Sequence, residues 1–164
     1  MSAVVARDGT AADASAVLAL NNTSIPHVNA LDAATLAQLI AMQAVYLVAE
    51  DADGVLGFVL CIASGGSYWS ENYRWFAARY GTFCYLDRVA VHARAQRRGV
   101  GRLLYAEVER RCRGRWPRIA LEVNLRPPNP GSAAFHAALG YVAVGVREYA
   151  DGANAVQMYL KELT

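Results

Sequence analysis

Two short stretches of the sequence hold residue types that can do chemistry. AQRRGVGR, residues 95–102, sets Gly99 and Gly101 among Arg97, Arg98 and Arg102. Glycine turns tightly and lets a ligand approach the main chain, and arginine offers phosphate a planar fork of donors. Where such a segment joins a strand to a helix, the first helical N–H groups lack partners and the helix dipole adds positive charge. A pyrophosphate is the natural guest of that place; a plain surface turn with solubilising arginines is the alternative. The second stretch is IALEVN, residues 119–124. Strand alternation turns Ile119, Leu121 and Val123 one way and Glu122 and Asn124 the other. A carboxylate in so apolar a run is unusual; it serves either as a base or as a charge on a solvated face. Asp87, in YLDRVAV, is a rival base or an ion-pair partner of Arg88.

The elements that position these groups follow from periodicity and turn residues. SAVVAR reads as a strand, and Thr10–Asp13 as a capping box opening a helix through ASAVLALNN. LDAATLAQLIAM has helical apolar spacing. VYLVAED and VLGFVLCIAS form a hairpin across Ala52–Gly54. GGSYWSENYRWFAARYGTF, residues 65–83, is an aromatic-rich connection, unusually long for a compact domain and so a candidate functional loop. CYLDRVAV is a strand, and GRLLYAEVERRCR an amphipathic helix from Gly101 with Leu104, Val108 and Cys112 on one face. RIALEVN is a strand, and PGSAAFHAAL a helix ended by Gly140. YVAVGVREYADGANAVQMYLKEL closes the chain as two strands joined through Asp151-Gly152. This is a mixed α/β order, β-α-α-β-β-β-α-β-α-β-β, in a single domain over residues 1–164.

Composition narrows the classes. Hydrophobic residues make up 55% of the chain and charged residues 18%. That balance fits a globular core and excludes disorder. No apolar run approaches the ~20 residues of a membrane span, and Arg7 and Asp8 precede any long apolar run, so no signal peptide is expected. Cys61, Cys84 and Cys112 fit neither a disulfide framework nor a metal site, and read as thiols of a cytoplasmic protein. Residues 94–118 hold nine arginines against Glu107 and Glu109, a net +7 within a chain of net +2. That local field keeps an arginine-rich nucleic-acid-binding reading open, although the run lacks the interleaved aromatics that read single strands.

Three phosphate motifs compete for residues 95–102. A Walker loop fails, because the only lysine is Lys161. A dinucleotide fingerprint fails at its third glycine, where Leu104 stands, and the chain after Gly101 is too short to complete a doubly wound sheet. The third is Q/R-x-x-G-x-G/A after alternating strand residues, here Gln96-Arg97-Arg98-Gly99-Val100-Gly101 after Val89-Ala90-Val91. With Asn129, His136, Gly140 and Tyr141 at the spacing of a second signature, the chain resembles the GCN5-related N-acetyltransferase (GNAT) superfamily.

The resemblance implies the acyl-CoA N-acyltransferase fold, a central, mostly antiparallel twisted sheet flanked by helices. It implies acetyl-CoA as cofactor and direct transfer of acetyl to a primary amine in a ternary complex. The pyrophosphate would lie on Gln96, Arg97, Arg98, Gly99, Val100, Gly101 and Arg102. The pantetheine arm would run beside Val89 and Val91, with Asn129 and Ser132 near it. Glu122 matches a glutamate proposed as base in protein N-terminal acetyltransferases of the superfamily. His136 stands where a tyrosine often protonates the departing thiolate; it is either that acid or a packing residue beside Phe135 and Leu139. The aromatics from Tyr68 to Tyr85, with Glu71, would border a small-molecule or peptide amine acceptor, and at least half of these rings should instead pack the core or a homodimer interface. No metal, membrane or nucleic-acid partner is expected; a non-catalytic CoA sensor is the other alternative.

Overall fold

The computed structural model describes residues 2–24 and 28–163. The chain runs β1 (Val5–Asp8), a 3-10 turn (Ala11–Asp13), α1 (Ala14–Thr23), α2 (Ala33–Met42), β2 (Gln43–Asp51), β3 (Gly54–Ala63), α3 (Glu71–Ala77), β4 (Cys84–Val91), a second 3-10 turn (Ala93–Ala95), α4 (Val100–Cys112), β5 (Arg118–Arg126), α5 (Pro130–Ala138), β6 (Val142–Tyr149) and β7 (Asn154–Glu162). The seven strands follow the order β1-β2-β3-β4-β5-β7-β6. The pairings β1–β2, β2–β3, β5–β7 and β6–β7 are antiparallel, and β4–β5 is parallel. The architecture is therefore the expected mixed α/β one, with a mostly antiparallel sheet flanked by helices. The chain groups into two compact units, Met1–Ala63 with Leu86–Arg111, and Ser64–Tyr85 with Cys112–Thr164.

In the first unit, β2 and β3 carry long buried runs, with Leu47, Val48, Phe58 and Leu60 fully enclosed. Asp32 caps α2, its carboxylate accepting the Thr35 N–H at 2.7 Å. Before α1, the Thr10 N–H donates to the Asp13 carboxylate at 2.9 Å, the acidic half of the expected box. Arg7 grips the same carboxylate through both Nη atoms at 2.8 Å, and this holds Asp13 down at about 2. The apolar stripe of α4, with Leu104 and Val108, is buried as its spacing predicts. Gly57 on β3 sets how closely that helix approaches the sheet. A Cβ there would lie 3.1 Å from Val100 Cγ1, 3.2 Å from Leu104 Cδ1 and 3.1 Å from the Ala90 carbonyl.

In the second unit, the connection expected as one long loop contains the helix α3. Ser70 caps it, accepting the Tyr73 N–H at 3.2 Å. The helix is only seven residues long, and it is held by rings rather than by propensity. Tyr73 meets Phe83 and Tyr85 edge-on at 5.6 and 5.7 Å between ring centroids. Of the eight aromatics from Tyr68 to Tyr85, Tyr68, Tyr73, Phe76, Phe83 and Tyr85 are buried, so most of them pack the core as expected. The edge of Trp75 lies against Gly145 of β6, where a Cβ would fall 2.6 Å from the indole. The Arg79 guanidinium stacks on the same ring, 3.9 Å from its centroid.

Candidate active site

Residues 92–102 form the turn that the sequence singles out. The His92 side chain accepts the Arg94 N–H at 3.1 Å and starts the 3-10 turn. Arg97 then takes φ 65° and Gly99 φ 76°, while Arg98 between them stays out of the left-handed region. The Arg98 N–H donates to the Ala95 carbonyl at 3.2 Å, so the amides open to an anion begin at Gly99. A left-handed arginine costs about 1–3 kcal/mol and persists only where its surroundings enforce it. The first helical bond of α4 runs from the Leu103 N–H to the Gly99 carbonyl at 3.0 Å. The amides of Val100, Gly101 and Arg102 therefore precede the helical ladder.

The guanidinium groups divide sharply. Arg98 donates to Asp51 at 3.0 Å and to the Ser2 carbonyl at 3.2 Å. Arg94 meets Asp51 at 3.4 Å. Arg98 first, then the Asp53 backbone N–H and Arg94, hold the Asp51 carboxyl at about 2. Arg98 thus ties the turn to the end of β2. Arg110 and Arg111 share Glu107, and Arg111 also reaches Asp8. Arg97 and Arg102 are exposed and ion-paired with no described residue. These two open charges flank Gly99 and Gly101. Beside them lies a half-open groove of about 500 Å³, lined by Thr23, Ser24, Val91, His92, Ala93 and Gln96. Val89 and Val91 are both half-buried on β4.

Asp87 is not a free carboxylate. Arg88 Nε binds it at 2.7 Å with both side chains nearly enclosed, and Arg88 also donates to the Asn21 side chain and the Asn29 carbonyl.

Glu122, in the second unit, keeps the alternation of its strand: Leu121 and Val123 are buried, while Glu122 and Asn124 are half-buried. Its carboxylate accepts the Tyr85 hydroxyl at 2.7 and 2.8 Å and the Asn72 amide at 2.9 Å. Asn72 in turn accepts the Arg147 Nε–H at 2.6 Å. The sequence did not reveal Tyr85 and Asn72 as partners of Glu122, nor Arg147 behind Asn72. Glu71, named from the sequence, instead pairs with Arg74 on the exposed side of α3.

Asn129 caps α5, accepting the Ser132 N–H at 3.3 Å. Within α5, His136 is 5% exposed, flanked by Phe135, Tyr141 and Tyr159. Its Nδ1 lies 2.7 Å from the Ser132 carbonyl. A carbonyl only accepts, so Nδ1 carries the proton and the neutral ring has none on Nε2. Burial pushes the imidazole below its usual 6.5, against the opposing Ser132 carbonyl. Burial therefore favours the neutral ring.

Known proteins share the fold. The family model described as "Acetyltransferase (GNAT) family" matches residues 19–141. No curated protein matches the sequence. Among solved structures, NAA60 of Arabidopsis thaliana in complex with acetyl-CoA superposes with a TM-score of 0.78 at 15% identity, over 98% of this chain and 99% of that one. YncA of Salmonella typhimurium with its cofactor acetyl-CoA gives 0.74 at 20% identity, over 99% and 95%. The ribosomal-protein alanine N-acetyltransferase of Escherichia coli gives 0.77 at 14% identity, over 99% and 95%. These likenesses concern the fold; the family model covers most of the sequence, motif and second signature included, and the chain belongs to the acetyltransferase (GNAT) family.

Proposed function

We propose that this acetyltransferase moves an acetyl group from acetyl-CoA to a primary amine by direct attack, with the turn at residues 96–102 as the pyrophosphate site. Membership of the family makes acetyl-CoA the donor. The observation that carries the site is the run of amides from Gly99 to Arg102 ahead of the α4 ladder, after the left-handed turn at Arg97 and Gly99. Arg97 and Arg102, ion-paired with no described residue, stand beside it. The main-chain amides of Gly99, Val100, Gly101 and Arg102 would hold the phosphate oxygens. Gln96 and Val91 line the adjoining groove, which suits the pantetheine arm with Val89. A main-chain N–H at the end of β4 would polarise the thioester carbonyl. Arg98 would act through its tether to Asp51, which holds the turn in place.

Acetyl-CoA supplies a thioester whose carbonyl carbon accepts the amine. The C–N bond forms, the C–S bond breaks, CoA leaves as its thiolate to be protonated by water, and the amine nitrogen gives up a proton. Glu122 would take that proton, directly or through water. Tyr85 and Asn72 fix its orientation, which favours it over Asp87, already paired with Arg88. The unprotonated Nε2 of His136 favours a packing role over that of an acid, and Asn129 and Ser132 are accounted for by the start of α5.

The test combines binding with folding. A ligand at about 100 times its dissociation constant adds roughly 2.7 kcal/mol of stability, so acetyl-CoA should raise the melting temperature clearly. Gly101→Glu, which sets bulk and negative charge against the turn, should abolish that rise while leaving the circular dichroism spectrum intact. An equal rise in both proteins would place the pyrophosphate elsewhere.

A further inference from the structure

We propose that the acceptor is a free amino acid, its carboxylate received by Arg147 and its amine by Glu122; this rests on Glu122 being the base. The register of β5, β7 and β6 puts Glu122, Met158 and Gly145 in one cross-strand row and Asn124, Val156 and Arg147 in the next. Directly opposed residues of antiparallel strands share a face, so Glu122, Asn124 and Arg147 all stand on the face that α3 covers through Trp75 and Asn72. Met158 and Val156 are buried between them. The result is a close-packed apolar row with a carboxylate at one side and a guanidinium at the other.

The guanidinium is incompletely used. Arg74, Arg118 and Arg126 of the same unit each hold a carboxylate. Arg147 is half-buried, gives only its Nε–H to the Asn72 carbonyl oxygen, and stacks 5.0 Å from the Tyr149 ring centroid. Its two terminal nitrogens bond no described residue. A planar fork left open in this way fits a carboxylate with two parallel bonds. Asn124 adds a half-buried amide in the same row, also bonded to no described residue.

The spacing fits the ligand. The Asn72 amide alone spans the gap, from Arg147 at 2.6 Å to Glu122 at 2.9 Å. An α-amino acid sets its nitrogen and carboxylate oxygens about 3 Å apart, more than the ~2.3 Å between the oxygen and nitrogen of an amide, and the open terminal nitrogens of Arg147 lie beyond the Nε that Asn72 holds. The amino acid can therefore reach Glu122 and the open nitrogens of Arg147 together. A peptide N-terminus carries a neutral amide where the amino acid carries its carboxylate, and would leave the fork unanswered.

The experiment is a panel of the free amino acids, their C-terminal amides and the decarboxylated amines, followed by acetyl-CoA-dependent release of CoA thiol. A charge-assisted bidentate pair corresponds to roughly 10- to 100-fold. The wild type should prefer the best amino acid over its own amide by that factor in kcat/KM. Arg147→Met should collapse the ratio toward one, and Arg147→Lys, which keeps the charge but not the fork, should give an intermediate ratio. Equal or better use of amides, or an unchanged ratio in Arg147→Met, overturns the proposal. The same panel is read by thermal shift, which needs no turnover. If nothing is acetylated but amino acids stabilise the wild type and not Arg147→Met, the carboxylate site stands and Glu122 as base falls. If neither turnover nor carboxylate-dependent stabilisation is seen, both fall.

Discussion

Gly145→Ala adds a single methyl group and should be felt through Trp75. The new Cβ would lie 2.6 and 2.8 Å from two atoms at the far edge of the indole. Ordinary contact begins near 3.4 Å. The ring or strand β6 must therefore yield by roughly 0.8 Å, an overpacking of the kind that costs about 1–3 kcal/mol. Alanine in a strand is otherwise better than glycine by about 0.5–1 kcal/mol, which offsets part of that cost. The net loss should be about 0.5–2 kcal/mol, or a fall in melting temperature of roughly 1–8 °C for a chain of this length. Trp75→Leu removes the far edge of the ring. In that background Gly145→Ala should turn neutral or mildly stabilising. Denaturant unfolding of the four proteins of the double-mutant cycle measures the coupling. The same destabilisation with Trp75 and with Leu at that position would refute the contact as its cause. Asn72 shares the short helix α3 with Trp75, so Gly145→Ala should also lower kcat more than it raises KM.

Glu122→Gln keeps the shape and removes the base; acetyl-CoA should still raise the melting temperature, while turnover falls by roughly 100-fold or more, and wild-type turnover would reassign the base. His136→Phe keeps the ring but loses the 2.7 Å bond to the Ser132 carbonyl. It should melt a few degrees lower, at about 1 kcal/mol, and lose less than about tenfold in rate; a loss of about 100-fold with unchanged melting would restore the acid role. Acid should destabilise in two stages. The unfolded chain protonates His136 more readily than the folded one, so stability declines as pH falls below the ordinary 6.5 of the imidazole. Asp13 and Asp51, held near 2 against the ordinary 3.8, and Glu107, near 2 against 4.5, stabilise the fold fully above those ordinary values and lose that contribution as pH falls toward 2. Melting measured from pH 7 to pH 2 checks both, and a curve flat from pH 5 to 2 would discount the three carboxylates.

What the sequence made legible was local. The strand before Gln96, the glycine turn and the amphipathic α4 are written in neighbouring residues, and so is the alternation that separates Glu122 and Asn124 from their apolar neighbours. The helix α3 was hidden because its seven residues are held by tertiary ring contacts, although Ser70 before ENYRWFA is a readable cap. The partners of Glu122 were hidden by distance along the chain. Asn72 lies 50 residues away, and Arg147 lies 75 from Asn72. They meet because β7 inserts between β5 and β6, so Arg147 and Glu122 share a face across an intervening strand. The pairing of Arg98 with Asp51 spans 47 residues and removes a guanidinium that the motif alone assigns to the ligand.

That pairing, with the others along residues 94–118, changes what an approaching polyanion meets. Of the segment's formal excess of seven positive charges, three are answered by Asp8, Asp51 and Glu162, which lie outside it in the sequence. Of the others, Arg97 and Arg102 stand at the turn, and Arg113 and Arg115 are exposed past the end of α4. A long phosphate backbone needs many contacts in register, each releasing counterions, before its affinity survives at the ~0.15 M salt of a cell. On a cation-exchange or heparin column this protein should therefore elute earlier than the segment's formal excess of seven would set.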